Sequence, residues 1–349
     1  MREHALAAAA HADVAVLHIE RSEDVRGVTA ARRIEGEELP TWRARYGARP
    51  AVLSAALSIV ATFRGRRAIR RSGFEPDVVH AHFFLAGAPA ALLGKPLVVT
   101  EQWSIFLPES PQRLTPLLRA AARFAYGRAR LVLPVSDALR RGIESAGAHP
   151  RFRVVPNVVD TSLFSPGEST RDGRLLAVGL FTDAKGYEYL FEAIAVLARR
   201  GGRVELDVIG DGERRPALER LVDELGVRDR VAFHGILPKG EVAKRMRQAE
   251  LFVLTSRYDN NPCVVIEAMA SGLPVVATAV GGIPEMVDAS SGRLATPRDP
   301  ERIADEIEAA LDAIDSFDRA AIAAAAKRRY GREHIGSELA AAYADAARA

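Results

Sequence analysis

Residues 251–285 read LFVLTSRYDNNPCVVIEAMASGLPVVATAVGGIPE, and the reading of the fold starts from them. LFVLTS is a short apolar run that predicts a buried strand, and RYDNNP is a polar turn in which Asn261 can cap a helix and Pro262 fits its first turn. The helix CVVIEAMAS carries one charge, Glu267, whose neighbours three and four positions away are Cys263, Val264, Ala270 and Ser271. A carboxylate buried on that apolar face needs a hydrogen-bonding partner, whereas an exposed glutamate on a surface helix needs none, and the pattern alone leaves both open. Gly272 closes the helix, PVVAT predicts a second buried strand, and AVGGIPE predicts a glycine-rich turn into a new helix. In a parallel sheet, two such turns would aim two helix amino ends at one crevice, where a diphosphate would sit.

These residues carry a resemblance. Asp259 and Glu267 are spaced like the paired acids of the retaining, family-4-type glycosyltransferases (group 1, GT-B fold), and EAMASGLPVVAT and VGGIPE follow in register. The first acid is Asp where the family more often has Glu. The resemblance implies an α/β protein of two doubly wound, Rossmann-like domains facing across a cleft. It also implies transfer of a sugar from a nucleotide-sugar donor, with retention, to a sugar, lipid-linked or small-molecule acceptor.

Length and composition agree with such a protein. The 349 residues suffice for two domains. Lys and Arg number 48 against 45 Asp and Glu, so bulk charge gives no reason to expect nucleic acid. The single cysteine, Cys263, excludes an internal disulfide and a cysteine metal site, and its apolar helix predicts a packed thiol, not a nucleophile. No run reaches the roughly 18 apolar residues of a membrane span, and the first twenty residues lack a signal peptide's core, which predicts a cytoplasmic enzyme.

In the amino-terminal half, MREHALAAAA reads as the second half of a helix and DVAVLHI as a strand. An α/β domain ordinarily opens with a strand and a loop before its first helix. The resemblance makes that piece the first strand and a glycine-rich loop near the donor phosphates and acceptor, so the expectation is a start that falls too late or an incomplete site. Residues 21–48 are charged and aperiodic and read as a loop with short structured pieces. AVLSAALSIVATF followed by RGRRAIRR reads as an apolar helix with a basic tail: a core-facing helix with a solvated end, or a peripheral contact for anionic lipid at the inner membrane face.

DVVHAHF is a strand whose His80 and His82 share a face; without a third ligand they do not suggest a metal site. His82, nearer the strand's carboxyl end, is placed to line the crevice, and the resemblance implies the same. It also puts Gln102 where relatives commonly carry a histidine that contacts sugar. A glutamine can hydrogen-bond a hydroxyl but cannot carry a proton at neutral pH. Trp103 beside it would stack on a sugar or pack. LVLPVSDALRRGIESAG predicts a strand, a cap at Ser136 or Asp137, and a helix. FRVVPNVVDTSLFSP resembles the family's segment at the end of the first domain through Asn157, Asp160 and Phe164, and SPGESTRDGR after it reads as the linker.

In the carboxyl-terminal half, LLAVGLFTDAKGYEYLFEAIAVLARR gives a strand, a close turn at Gly179 and a helix opened by Lys185 and Gly186. A cation at a helix amino end opposes the dipole, which argues that Lys185 faces an anion unless it is a solvated surface lysine. Relatives hold the donor diphosphate with this lysine and often with an arginine five residues earlier. That position is Leu180 here, and Arg257 is a candidate replacement. Asp211 and Glu213 in the GDGE turn look like a metal pair without further ligands, so neither metal nor cofactor is expected. RVAFHGILPKGEV brings His234 and Gly235 to a strand end where relatives place the nucleotide base.

The expected limits are 1–165 for the acceptor-side domain, 166–332 for the donor domain and 333–349 for a helix crossing back. The expected site has Lys185 and Asp259 as catalytic residues. Glu267 is assigned to the ribose, with Gly179, Asn260, Asn261, Pro262, Cys263, His234 and Gly235 completing the donor contacts, and His82 and Gln102 contact acceptor or sugar. Two rivals are a nucleotide-sugar epimerase of the same fold and a nucleotide-sugar-binding module without turnover.

Overall fold

A computed structural model describes residues 1–47, 50–167 and 173–348. Most of the central part of the linker expected at 165–174 lies outside the described residues. In chain order the elements are α1 (Arg2–Ala9), β1 (Val16–Ser22), β2 (Arg32–Ile34), β3 (Thr41–Gly47), α2 (Ala51–Arg71), β4 (Val79–His82), α3 (Phe84–Ala90), β5 (Leu97–Glu101), α4 (Pro116–Arg128), β6 (Leu131–Pro134) and α5 (Asp137–Ser145). There follow β7 (Arg174–Val178), α6 (Tyr187–Arg199), β8 (Glu205–Ile209), α7 (Arg215–Glu224), β9 (Val231–Phe233), α8 (Lys239–Gln248) and β10 (Leu251–Leu254). The last are α9 (Cys263–Ala270), β11 (Val275–Thr278), β12 (Gly292–Ala295), α10 (Pro300–Asp312), α11 (Arg319–Tyr330) and α12 (Arg332–Arg348).

The carboxyl-terminal sheet is six-stranded and all parallel, in the order β12-β11-β10-β7-β8-β9. Its central strands are apolar on both faces, as helices on both sides require. The two-residue period of β7 and β10 divides them between two cores. Leu176, Val178, Phe252 and Leu254 meet residues of α8, α9 and α11, while Leu175, Ala177, Leu251 and Val253 meet residues of α6, α7 and α10.

The amino-terminal half is built from two three-stranded sheets. One is parallel, β4-β5-β6; the other has the order β1-β3-β2, with β1 and β3 parallel and β2 antiparallel. Among the described residues, the outer edges of β1 and β4 pair with no strand. The β4-β5-β6 sheet is again covered on both faces. Leu97, Val99 and Val132 pack with residues of α3 and α4, and Val98, Leu131 and Leu133 with residues of α1 and α12.

The stretch expected as a loop with short structured pieces is filled out here, and one expectation gives way. The charged stretch 21–48 contains β3, which pairs with β1 from Val16↔Thr41 to Ser22↔Gly47 and buries Trp42 and Ala44 while its arginines reach solvent. GGIPE, expected to open a helix, forms only a three-residue 3-10 turn, Ile283–Glu285. The halves are tied by the parallel bridge Val159↔Gly331 and by Arg332, which joins Glu3 and Asp160 at 2.7 and 2.8 Å.

Candidate functional site

Three glycines mark the carboxyl ends of adjacent strands in the second half. The N–H of Gly179 donates to Ile209 O and that of Gly210 to Gly235 O, so the ends of β7, β8 and β9 form one lip. The turn after β7 then meets the turn after β10. Thr255 Oγ1 donates to the carbonyl of Gly186 at 2.9 Å, and Thr278 Oγ1 to that of Ser256 at 2.6 Å. Gly186 has φ +60°, and a Cβ there would stand 2.4 Å from Thr255 O, so side chain and turn cannot coexist.

This contact brings together the two residues assigned to catalysis. Lys185 Nζ lies 2.6 Å from Asp259 Oδ2, both side chains partly solvent-accessible, with Ser256 Oγ at 3.4 Å from the same oxygen. Each charge therefore has the other as its partner. An anion reaching Lys185 shares or takes over that ammonium.

No side chain caps α9. Pro262 occupies the cap position, and Asn261, expected to cap, is turned to the other half. Its Oδ1 accepts the N–H of Asn157 at 2.8 Å and its carbonyl accepts Asn157 Nδ2 at 2.7 Å. One turn on, Glu267 is 13% exposed; its nearest cation is the exposed Lys239, 3.9 Å away. Burial pushes the Glu267 carboxyl up to about 7, Lys239 offsetting only part of it. Among the described residues, Glu267 has no closer partner than Lys239. Cys263 departs from the packed thiol expected: it touches solvent from a densely surrounded position at the start of α9. Burial, with Glu267 and Asp259 nearby, pushes its thiol up to about 11, so it is no nucleophile at neutral pH.

Across the seam, three residues assigned to donor or acceptor hold buried polar atoms without a partner among the described residues: His82 Nδ1, Gln102 Nε2 and Asn260 Oδ1. Asn260 Nδ2 donates to Gln102 O at 2.6 Å, which joins two of them directly. His82 lies under α1, its ring 4.7 Å from that of His80 and 5.5 Å from that of His4. His80 is saturated by Tyr343 and Thr100 at 2.8 and 2.7 Å, and burial lowers it to about 3 and His4 to about 4, so this cluster is neutral at physiological pH. No set of three His, Cys, Asp or Glu among the described residues is arranged to hold a metal.

Four further candidates are described by what their side chains touch. His234 Nε2 is 2.6 Å from Asp207 Oδ1 and is flanked by Arg245, so its ring is committed to an internal charge cluster; Gly235 stays at the lip. Arg257, the candidate for the arginine missing at Leu180, is engaged by Glu188 and lies over Tyr189. Trp103 stacks on Phe84 at 5.7 Å and donates Nε1–H to Gln112, which is packing. Asp211 is taken by the N–H of Gly212 and by Arg215.

Two acids escaped the sequence reading. Glu101 is fully buried and accepts from the N–H groups of Phe84, Gln102 and Trp103 and from Tyr126 OH, fixing the turns that carry His82 and Gln102. Burial holds its carboxyl above the usual range although these bonds pull it down. Phe83, between His82 and α3, has φ +67°, strain that this network sustains. The second acid is Glu285. Its carboxylate accepts the N–H groups of Asp137 and Ala138 at 2.8 and 2.7 Å, so the GGIPE turn plugs the amino end of α5 instead of offering its own. The signal for Glu101 was an acid ending an otherwise apolar strand; for Glu285 the sequence offered none.

Two α/β halves meeting along a polar seam, with an uncapped helix start beside a lysine–aspartate pair, have the architecture of GT-B proteins. Residues 159–329 match the family model Glycosyl transferases group 1, and residues 4–163 match Glycosyltransferase Family 4. Alpha-D-kanosaminyltransferase of Streptomyces kanamyceticus is 31% identical over 316 residues, 82% of this chain and 81% of its own. The chain belongs to the group 1 glycosyltransferases. Its fold matches sucrose-phosphate synthase of Thermosynechococcus elongatus (TM-score 0.79, 21% identity, 98% of this chain and 91% of that one). It also matches Anabaena HepE solved with UDP (TM-score 0.75, 18% identity, 95% and 100%).

Proposed function

We propose that this glycosyltransferase takes its sugar from a nucleotide diphosphate donor and transfers it with retention to an acceptor hydroxyl, without a metal. The carrying observation is the Lys185–Asp259 pair at 2.6 Å beside the uncapped start of α9. As the bond from the anomeric carbon to phosphate oxygen breaks, charge builds on the diphosphate. Lys185 and the first N–H groups of α9 are the groups able to neutralise it, a task a divalent cation otherwise performs. Once Lys185 turns to phosphate, Asp259 is released to accept from hydroxyls of the donor sugar. Glu267, without a close partner of its own, is suited to bridge the ribose hydroxyls. Among the described residues no second carboxylate stands as a nucleophile, so attack on the donor's leaving-group face, with the departing phosphate oxygen taking the acceptor's proton, is the favoured route. Anabaena HepE has been solved with UDP and with UDP-glucose, which makes UDP-sugars the first donors to try.

The test is a donor panel with and without a chelator, with product configuration read by NMR. UDP or GDP release that requires acceptor separates transfer from epimerisation. Lys185→Ala should lower turnover roughly tenfold to a thousandfold, the range for loss of one charge-stabilising group. Wild-type kinetics in that variant would remove lysine from the mechanism, and an inverted product would remove retention.

A further inference from the structure

The helices α2, α3 and α4 form one layer: α3 packs against both others and, with α4, covers one face of β4-β5-β6. Eleven large apolar side chains are exposed among the described residues. Seven belong to this layer and the turn after α3: Leu53, Val60 and Phe63 on α2, Leu85 and Leu92 around α3, and Leu117 and Phe124 on α4. Among the exposed positions of α2, Leu53, Ala56, Val60, Phe63, Arg67 and Arg71 follow the helical period, so they make one stripe, apolar at its start and basic at its end.

Charge follows the same layer. Residues 51–136 contain eleven Lys and Arg against four Asp and Glu, a net of +7 in a chain whose total is +3. One of the four acids, Glu101, is buried, and another, Glu75, is taken by Arg66, Arg70 and Lys95. Arg67, Arg71, Arg119 and Arg123 have no carboxylate partner among the described residues. Arg119 and Arg123 also line, with Leu114, Pro116 and Ala120, an open depression of about 500 Å³ on α4. Among the described residues, no helix is long and apolar enough to cross a membrane.

We propose that the outer face of α2, α3 and α4 docks on an anionic lipid bilayer, its apolar side chains entering the headgroup boundary and its arginines meeting lipid phosphates. Helices that lie on membranes combine these two features, and phosphate-bearing polymers such as nucleic acid would use the arginines but leave the exposed leucines and phenylalanines unexplained. α3 starts two residues after His82, and the segment leading to α4 leaves Gln102. Resting on the function proposed above, docking would hold the acceptor side of the cleft at the membrane, where a lipid-borne acceptor is found.

The test is sedimentation of the full chain with vesicles of phosphatidylcholine alone or with about one third phosphatidylglycerol, at low and high salt. The expectation is binding to the anionic vesicles at least about tenfold stronger than to neutral ones, weakening with salt. The double variant Arg119→Glu/Arg123→Glu should lose about tenfold or more, since each basic residue near such a surface contributes about a factor of five. Leu117→Ser/Phe124→Ser should weaken binding while leaving its salt dependence in place. UDP affinity, measured on every variant, should stay at wild type; it reports folding and the donor site separately, so a failed donor assignment does not resemble a failed docking surface. Absence of vesicle binding, equal binding to neutral lipid, wild-type binding by both variants, or capture by tRNA without capture by vesicles each overturns the proposal.

Discussion

Two helices begin at the seam between the halves, and the protein treats their amino ends in opposite ways. α5 is capped by Ser136 Oγ, which accepts the N–H of Leu139 at 3.1 Å, and is plugged by the Glu285 carboxylate from the other half. α9 has no side-chain cap, and the nearby Glu267 is an acid that burial has pushed up to about 7. A helix amino end attracts anions wherever it occurs, so the useful distinction is whether the chain itself supplies the anion. At α5 it does, and the result is a latch. At α9 no side chain caps the helix, which is what the proposed diphosphate site requires.

The largest effect on this contrast should come from emptying the first end. Glu285→Ala removes two hydrogen bonds to a charged acceptor, and such bonds contribute about 1.5–3 kcal/mol each, so the seam should lose about 3–6 kcal/mol. Thermal unfolding should shift down by several degrees and proteolysis between the halves should speed up. Glu285→Gln should fall in between. An unchanged melting curve in Glu285→Ala would show that the contact holds nothing together.

Next in size is the pH response of Glu267. With the folded carboxyl near 7 and an unfolded glutamate near 4.5, the native state holds the extra proton between those values. The group's contribution to stability is therefore fully present below about 4.5 and lost as pH rises through about 7. Glu267→Gln should stabilise the protein at pH 8, by on the order of 1–3 kcal/mol, and do little at pH 4.5. Donor binding should run the other way. If ribose hydroxyls donate to the ionised form, affinity should rise about tenfold between pH 6 and 8 in the wild type and stay flat in Glu267→Gln. A pH-independent donor affinity in the wild type would detach Glu267 from the ribose.

The contrast also separates what the sequence disclosed from what it withheld. The strands β10 and β11 and the helix α9 were legible because their apolar runs are short, uninterrupted and bounded by turn residues. The glycine-rich turn that follows was misread because two needs share one pattern. Glycines that free N–H groups for a ligand look the same as glycines that let two backbones touch. Here the second need wins: a Cβ on Gly282 would stand 1.8 Å from Asn260 O and 2.7 Å from Ser136 Cβ. Asn261 and Asn260 follow the same logic. The local pattern suggests a helix cap at Asn261 and a donor contact at Asn260, but their partners Asn157 and Gln102 lie more than a hundred residues away and only the assembled halves bring them close. β3 was lost for a different reason. TWRARYG alternates as a strand should, but its outward arginines lower the apolar signal until only the pairing with β1 makes it visible.

The smallest effect is also the most direct, because it gives the open end the treatment of the closed one. Pro262 stands at the cap of α9 with φ −64° and ψ 118°, an extended conformation that aspartate adopts readily. In Pro262→Asp the new carboxylate can accept from the N–H groups of Val264 and Val265, the second and third residues of the helix, as capping aspartates do. A cap of that kind stabilises a helix by about 0.5–2 kcal/mol, so the variant should melt no lower than Pro262→Ala, which controls for loss of the ring. It also places a negative charge on the amides assigned to the diphosphate. UDP affinity, followed by calorimetry, should fall about tenfold, while Pro262→Ser, capped but uncharged, should lose less. The ranking Ala, Ser, Asp in affinity against the reverse ranking in melting temperature would be the signature of a helix end left bare for a ligand. Equal UDP affinity in all three would mean that the anion binds elsewhere and that α9 is uncapped for no functional reason.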